Sequence, residues 1–145
     1  MRERNIIRNI AVSLLLVVGL HGTAQAAVSQ YKFTHLTTAD SGLSFDGVSS
    51  IMQDSRGFVW VGTSHGLNRY DGRKFDVFFT DKLGLATDYV RCLVEDRDGN
   101  IWIGTDNGVC RYNYIRDKFE TILLKADDGE SIRGEVRSIT TDKNG

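Results

Sequence analysis

Asp96-Arg97-Asp98-Gly99-Asn100 concentrates side-chain oxygens as a calcium loop does. With Gly99 at the sixth position, such a loop would start at Val94 and end at Thr105, so the bidentate carboxylate at its end is missing and the run reads as a hairpin turn. His35 and His65 are nitrogen donors for a metal, but His65 lies in a turn and corresponds to Asn107 in a later one, and both residue types tolerate a left-handed backbone. Trp60 and Trp102 offer flat faces on which a sugar ring could stack; each sits in a segment suited to packing sheet on sheet, which is the favoured role. Tyr70 and Tyr112 each follow an arginine, Arg69 and Arg111, and their regular recurrence marks a structural duty. No Ser-His-Asp or Cys-His set and no pair of recurring carboxylates presents itself. No catalytic, metal or cofactor-binding residue is therefore assigned, no cofactor is expected, and the ligand-binding residues stay open.

These residues recur because the elements that hold them recur. Val48-Ser-Ser-Ile-Met-Gln-Asp-Ser-Arg-Gly-Phe-Val-Trp-Val-Gly-Thr63 aligns without a gap on Val90-Arg-Cys-Leu-Val-Glu-Asp-Arg-Asp-Gly-Asn-Ile-Trp-Ile-Gly-Thr105, a shift of 42 residues. The match runs on through Gly66 with Gly108 and Tyr70 with Tyr112, then slips by two residues to pair Phe75 with Phe119. Val136, Ile139, Asp142 and Gly145 open a third copy, matching Val90, Leu93, Asp96 and Gly99. The recurring positions are Asp54, Gly57, Trp60, Gly62, Gly66 and Tyr70 in the first copy, and Asp96, Gly99, Trp102, Gly104, Gly108 and Tyr112 in the second.

Each copy alternates short strand patterns with glycine turns and has no apolar stripe of helical spacing. Strands are expected over about 48–53, 58–62, 66–70 and 75–79, then 90–95, 101–104, 109–113 and 118–124. Asp54 and Asp96 are placed to cap turns in which Gly57 and Gly99 take positive φ. Four antiparallel strands in about 42 residues, with an aromatic in the second, make a propeller blade. The fold class is thus all-β: a partial β-propeller of two four-stranded antiparallel blades plus the first strand of a third, after a signal peptide. The chain divides into the signal peptide (1–26), a lead-in (27–47) whose residues Tyr31 to Leu36 could close a ring, blade 1 (48–84), blade 2 (85–130) and the start of blade 3 (131–145).

Arg2, Arg4 and Arg8 precede an apolar run from Ile10 to Leu20, and Ala24-Gln25-Ala26 offers a cleavage site. That run is too short to span a bilayer, so cleavage after Ala26 and export are expected. The whole sequence, at a formal net charge of −1 with 18 basic and 19 acidic residues, has no surplus of charge for nucleic acid. Cys92 and Cys110 fall in the first and third strands of blade 2, about 9–10 Å apart across an intervening strand, which is beyond disulfide reach. Two buried thiols filling small gaps are expected there.

The run from Ser50 to Gly72, SIMQDSRGFVWVGTSHGLNRYDG, resembles the two-component regulator propeller repeat, as does the second copy. Phe33-Thr-His-Leu-Thr37 followed by Gly42-Leu-Ser44 resembles the start of the sensor region of Bacteroidetes hybrid two-component histidine kinases, with a spacer Ala39-Asp-Ser-Gly42 one residue longer than usual. This resemblance implies a periplasmic, glycan-sensing segment of an inner-membrane receptor, with an oligosaccharide ligand, downstream blades as its partners and a homodimer in the full-length receptor. The kinase, receiver and DNA-binding parts of such receptors have no counterpart in these 145 residues, so the segment itself is expected not to be an enzyme. A secreted lectin-like or scaffold propeller and an exported propeller lyase or glycosidase are the alternatives, separated by what lies downstream.

Overall fold

A computed structural model describes residues 32–80 and 84–142. The expected signal peptide, Tyr31 and Gly145 lie outside the described residues. The strands all belong to one compact unit, which begins at His35.

Two antiparallel four-stranded sheets carry the fold, each in chain order. Blade 1 contains β1 (Val48–Gln53), β2 (Val59–Thr63), β3 (Gly66–Tyr70) and β4 (Phe75–Phe78). Blade 2 contains β5 (Val90–Glu95), β6 (Ile101–Thr105), β7 (Gly108–Asn113) and β8 (Lys118–Ile122). A small hairpin follows, β9 (Leu124–Lys125) paired with β10 (Ser131–Ile132), which the repeat pattern does not announce.

β1, β3 and β5 have the expected ends, and the other strands move by a residue or two. Phe58 stays out of β2 because its N–H donates to Asp54 Oδ1 at 2.9 Å instead of joining the ladder. β2 reaches Thr63, which pairs with both Val48 and Gly66. β8 stops at Ile122 because Leu124 pairs with Ile132 across the added hairpin. The first strand expected in blade 3 is not formed as a strand: residues 133–142 carry no ladder. A first strand takes its partner from the second strand of its own blade, which follows the Asp–Gly turn, and the residues after Asp142 are outside those described. Val136 nevertheless stands against Gly104 as Val90 stands against Gly62, so the segment follows the course of a first strand. Residues 32–36 likewise carry no strand pairing.

The turns explain several glycines and correct one expectation. Gly57, Gly66, Gly99 and Gly108 all have positive φ. His65 and Asn107 do not; among the described residues Asp117 is the one non-glycine in that region. The left-handed step of the β2–β3 and β6–β7 turns falls on the glycine, which bears no Cβ penalty.

Blade meets blade most closely along β1 with β5 and β2 with β5. Gly62 serves that approach, and Gly104 holds the matching place beneath Val136. A Cβ on Gly62 would lie 2.6 Å from Val90 Cγ1, and one on Gly104 would lie 2.9 Å from Val136 Cγ1. Farther along each blade the gap widens and rings fill it. Trp60 stacks on Phe78 at 5.8 Å and tilts against Tyr112 at 5.3 Å, and Phe78 meets Phe119 edge-on at 5.3 Å. Small residues near β1 and β5 and large ones near β4 and β8 make a wedge, the shape that lets sheets fan about an axis. Trp60, Leu67, Ile101, Ile103 and Cys110 are fully buried in this wedge. Cys92 and Cys110 are free thiols on β5 and β7 with β6 between them, and burial pushes both thiol pKa values up.

The repeat also includes the connection ahead of each first strand. Thr38 N–H donates to Asp46 Oδ1 at 2.8 Å, and Thr80 N–H donates to Asp88 Oδ1 at 2.7 Å. Leu43 and Leu85 are buried at matching places. Next to them, Ser44 N–H donates to Asn68 Oδ1 at 2.8 Å, and Ala86 N–H donates to Cys110 Sγ at 3.0 Å.

Candidate functional site

The recurring residues build the scaffold. Asp54 accepts from Arg56 N–H at 3.0 Å, Phe58 N–H at 2.9 Å, Trp60 Nε1 at 2.7 Å and the Tyr114 hydroxyl. Asp96 repeats the pattern, accepting from Asn100 N–H at 2.8 Å and Trp102 Nε1 at 2.7 Å. Burial opposes ionisation of Asp96, but these donors outweigh it and hold its carboxyl below the usual range. The spacing from Asp to Trp is therefore one device: a carboxylate that closes the β1–β2 turn and anchors the indole of the next strand. Sequence reasoning assigned the turn to the aspartate and packing to the tryptophan, and missed the bond between them.

Successive blades place the same residue in unequal surroundings. In the ladder Trp60 stands opposite Arg69 on the face toward blade 2, while Tyr70, opposite Val59, is on the other face. Tyr112, the counterpart of Tyr70, is buried against Trp60, whereas Tyr70 is only half-buried. Trp102, the counterpart of Trp60, is also half-buried and lines a cleft of about 430 Å³ with Asp96 and Ile139–Asp142. Packing across the blades accounts for Trp60 and Tyr112, and the equivalent surfaces of Tyr70 and Trp102 are those that face away from the blade pair.

A polar clamp joins the two blades at the turns. Ser55 donates from N–H and Oγ to the Glu95 carboxylate at 2.7 and 2.6 Å, and Arg56 Nη1 donates to Gly99 O at 3.0 Å. The Arg56 guanidinium also lies over the Tyr114 ring, 3.9 Å from its centre. The acidic turn at Asp96 is thus part of a blade junction. Among the described residues no group of three or more His, Cys, Asp or Glu is arranged to hold a metal, and His65 lies beside Phe45, 5.5 Å between ring centres.

Unlike residues stand where the blades come closest. Ser49, Arg91 and Arg137 occupy one repeat position, and Gly47, Tyr89 and Glu135 the position two before it. Ser49, Tyr89, Arg91, Glu135 and Arg137 line an open cleft of about 390 Å³. Arg91 lies over the Tyr89 ring, 4.5 Å from its centre, and its Nη1 pairs with Glu135 Oε1 at 2.8 Å. Arg137 Nη2 donates to the other carboxylate oxygen of Glu135 at 3.2 Å and, with Arg91, holds that carboxyl below its usual range. A phenol ring, two guanidiniums and a carboxylate can together stack on a ring and exchange hydrogen bonds with hydroxyl or anionic groups. Sequence reasoning passed over these residues because it looked for repetition. Their signal was the departure from blade 1 at aligned positions, from Gly47 to Tyr89 and from Ser49 to Arg91.

Two meander blades packed in series define a propeller, and comparison with known proteins says which kind. Residues 42–65 and 84–107 each match the two component regulator propeller. Both matches begin at the glycine of the connecting loop, where the structure also shows the repeat under way. Over 72 residues, 49% of the chain, it is 42% identical to histidine kinase P4 of Formosa agariphila, and it spans 5% of that protein. Among solved structures, it is similar to the extracellular domain of the putative hybrid two component system BT3049 from B. thetaiotaomicron, with 28% identity, 79% of this chain and 16% of that one covered, and a TM-score of 0.68. The extracellular domain of the putative hybrid two component system BT4673 from the same organism gives 31% identity over 56% of this chain and 11% of that one, with a TM-score of 0.52.

Proposed function

We propose that this chain is a periplasmic ligand-sensing segment of a hybrid two-component histidine kinase, exported by its N-terminal signal sequence and reading a glycan. The observation that carries this is the likeness, over 79% of the chain, to the extracellular domain of a hybrid two component system. The segment contributes binding surface and no catalysis, since its recurring residues are committed to turns and blade packing. Its partners are the downstream blades, an oligosaccharide and, in the whole receptor, a second copy.

Translating the locus past Gly145 and assaying the receptor it encodes tests this. The reading stands if the frame runs through further repeats to a membrane span and a kinase, and if a glycan changes autophosphorylation in membrane vesicles. A frame that reaches no kinase, or a kinase whose activity no glycan alters, overturns it.

A further inference from the structure

The cleft beside β5 narrows the class of ligand, on the footing that the chain is a glycan sensor. The geometry points to Tyr89, Arg91 and Arg137 as a binding site for an acidic saccharide, with the phenol ring under the sugar and the guanidiniums on its carboxylate or sulfate.

Three observations converge. First, residues with scaffold duties repeat from the first blade to the second, whereas here Gly47 gives way to Tyr89 and Glu135, and Ser49 gives way to Arg91 and Arg137. The scaffold does not require these side chains. Second, the residues lining the cleft include two guanidiniums against one carboxylate, Glu135. Asp106, whose charge reaches Glu135, does not line the cleft; its carboxylate accepts from the Thr87 hydroxyl and its N–H donates to Tyr89 O at 3.2 Å. Third, the basic groups are held ready. Stacking on Tyr89 and pairing with Glu135 orient Arg91, and its buried Nε has no hydrogen-bond partner. Arg137 is 83% exposed and spends one Nη on Glu135, which leaves donors of its planar fork for an incoming anion. An arginine fork recognises carboxylate and sulfate oxygens in pairs, and a ring beside it suits the apolar face of a sugar.

Calorimetric titration of the full chain with an oligogalacturonate, a sulfated chondroitin oligosaccharide and a neutral malto-oligosaccharide tests the site. At least one acidic probe should bind, and Arg137→Gln should weaken it about tenfold or more, the worth of one charged hydrogen bond. Tyr89→Ala should weaken it as well, and the two acidic probes tell carboxylate from sulfate recognition. Arg137 is exposed, so its variant should keep the parent's thermal midpoint. Acidic binding that survives both substitutions overturns the site. Binding of the neutral probe alone overturns the ligand class and leaves the sensor reading intact. If no probe binds, the site falls and the sensor reading rests on the receptor's kinase assay, whereas acidic binding lost in the variants with no effect on the receptor's kinase overturns the sensor reading alone.

Discussion

Asp54 shows how much of this fold rests on single side chains. It is 5% exposed and accepts from two backbone N–H groups, an indole and a phenol. Asp54→Ala should cost about 2–4 kcal/mol, because buried donors are left unpaired. Urea denaturation of the variant beside Asp96→Ala checks this, and the Asp96 change should cost less because Trp102 is half-buried. Gly62 has a different duty. Its φ is not in the left-handed region, yet a Cβ there would stand 2.6 Å from Val90. Gly62→Ala should cost about 1–3 kcal/mol by overpacking, and Val90→Ala should recover part of it. A double-mutant cycle that finds the two costs additive would show that close approach is not the glycine's role. Both requirements were legible as positions in the sequence, since Asp54 and Gly62 recur. Their reasons were not, because the sequence does not show which atoms lie across the blade gap.

At the scale of elements, the junction between blades is aromatic and contains phenols that must stay protonated. Burial pushes the Tyr112 pKa up to about 12, and its bond to Asp117 adds to this. Tyr114 is raised further, by burial and by its bond to Asp54. A pKa raised in the folded state means that the protonated phenol stabilises the fold fully below the unfolded value of 10.0, and that this stability is lost as pH rises through about 12. Thermal midpoints should therefore fall between about pH 10 and 12. Tyr114→Phe should lower the midpoint at neutral pH and flatten that alkaline decline; an unchanged alkaline slope would remove Tyr114 from the account. The strands themselves were readable from alternation and glycine turns, whereas the β9–β10 hairpin was not. Two-residue strands leave no periodic signal, and the insertion falls where the repeat slips.

Across the whole molecule, the two tryptophans report on packing that only a series of blades can supply. Trp60 is fully buried between β2 and blade 2, while Trp102 holds the equivalent place on the face that blade 2 turns away from blade 1. With Trp102→Phe in place, the emission of Trp60 should resist iodide quenching. With Trp60→Phe, the emission of Trp102 should be quenched. Equal quenching would mean that the blades do not pack as described. The repeat, the turns, the β-class and the separation of Cys92 from Cys110 were determined by the sequence alone, because strand pairing within a blade joins residues close in the chain and its alternation is written locally. The tertiary structure decided what lies between blades: the glycine under Val90, the bond from Tyr114 to Asp54, the inequality of Trp60 and Trp102, and the meeting of Tyr89, Arg91, Glu135 and Arg137. Those contacts join residues from separate blades or blade connections, and their geometry depends on how the packed sheets fan apart, which no local pattern records.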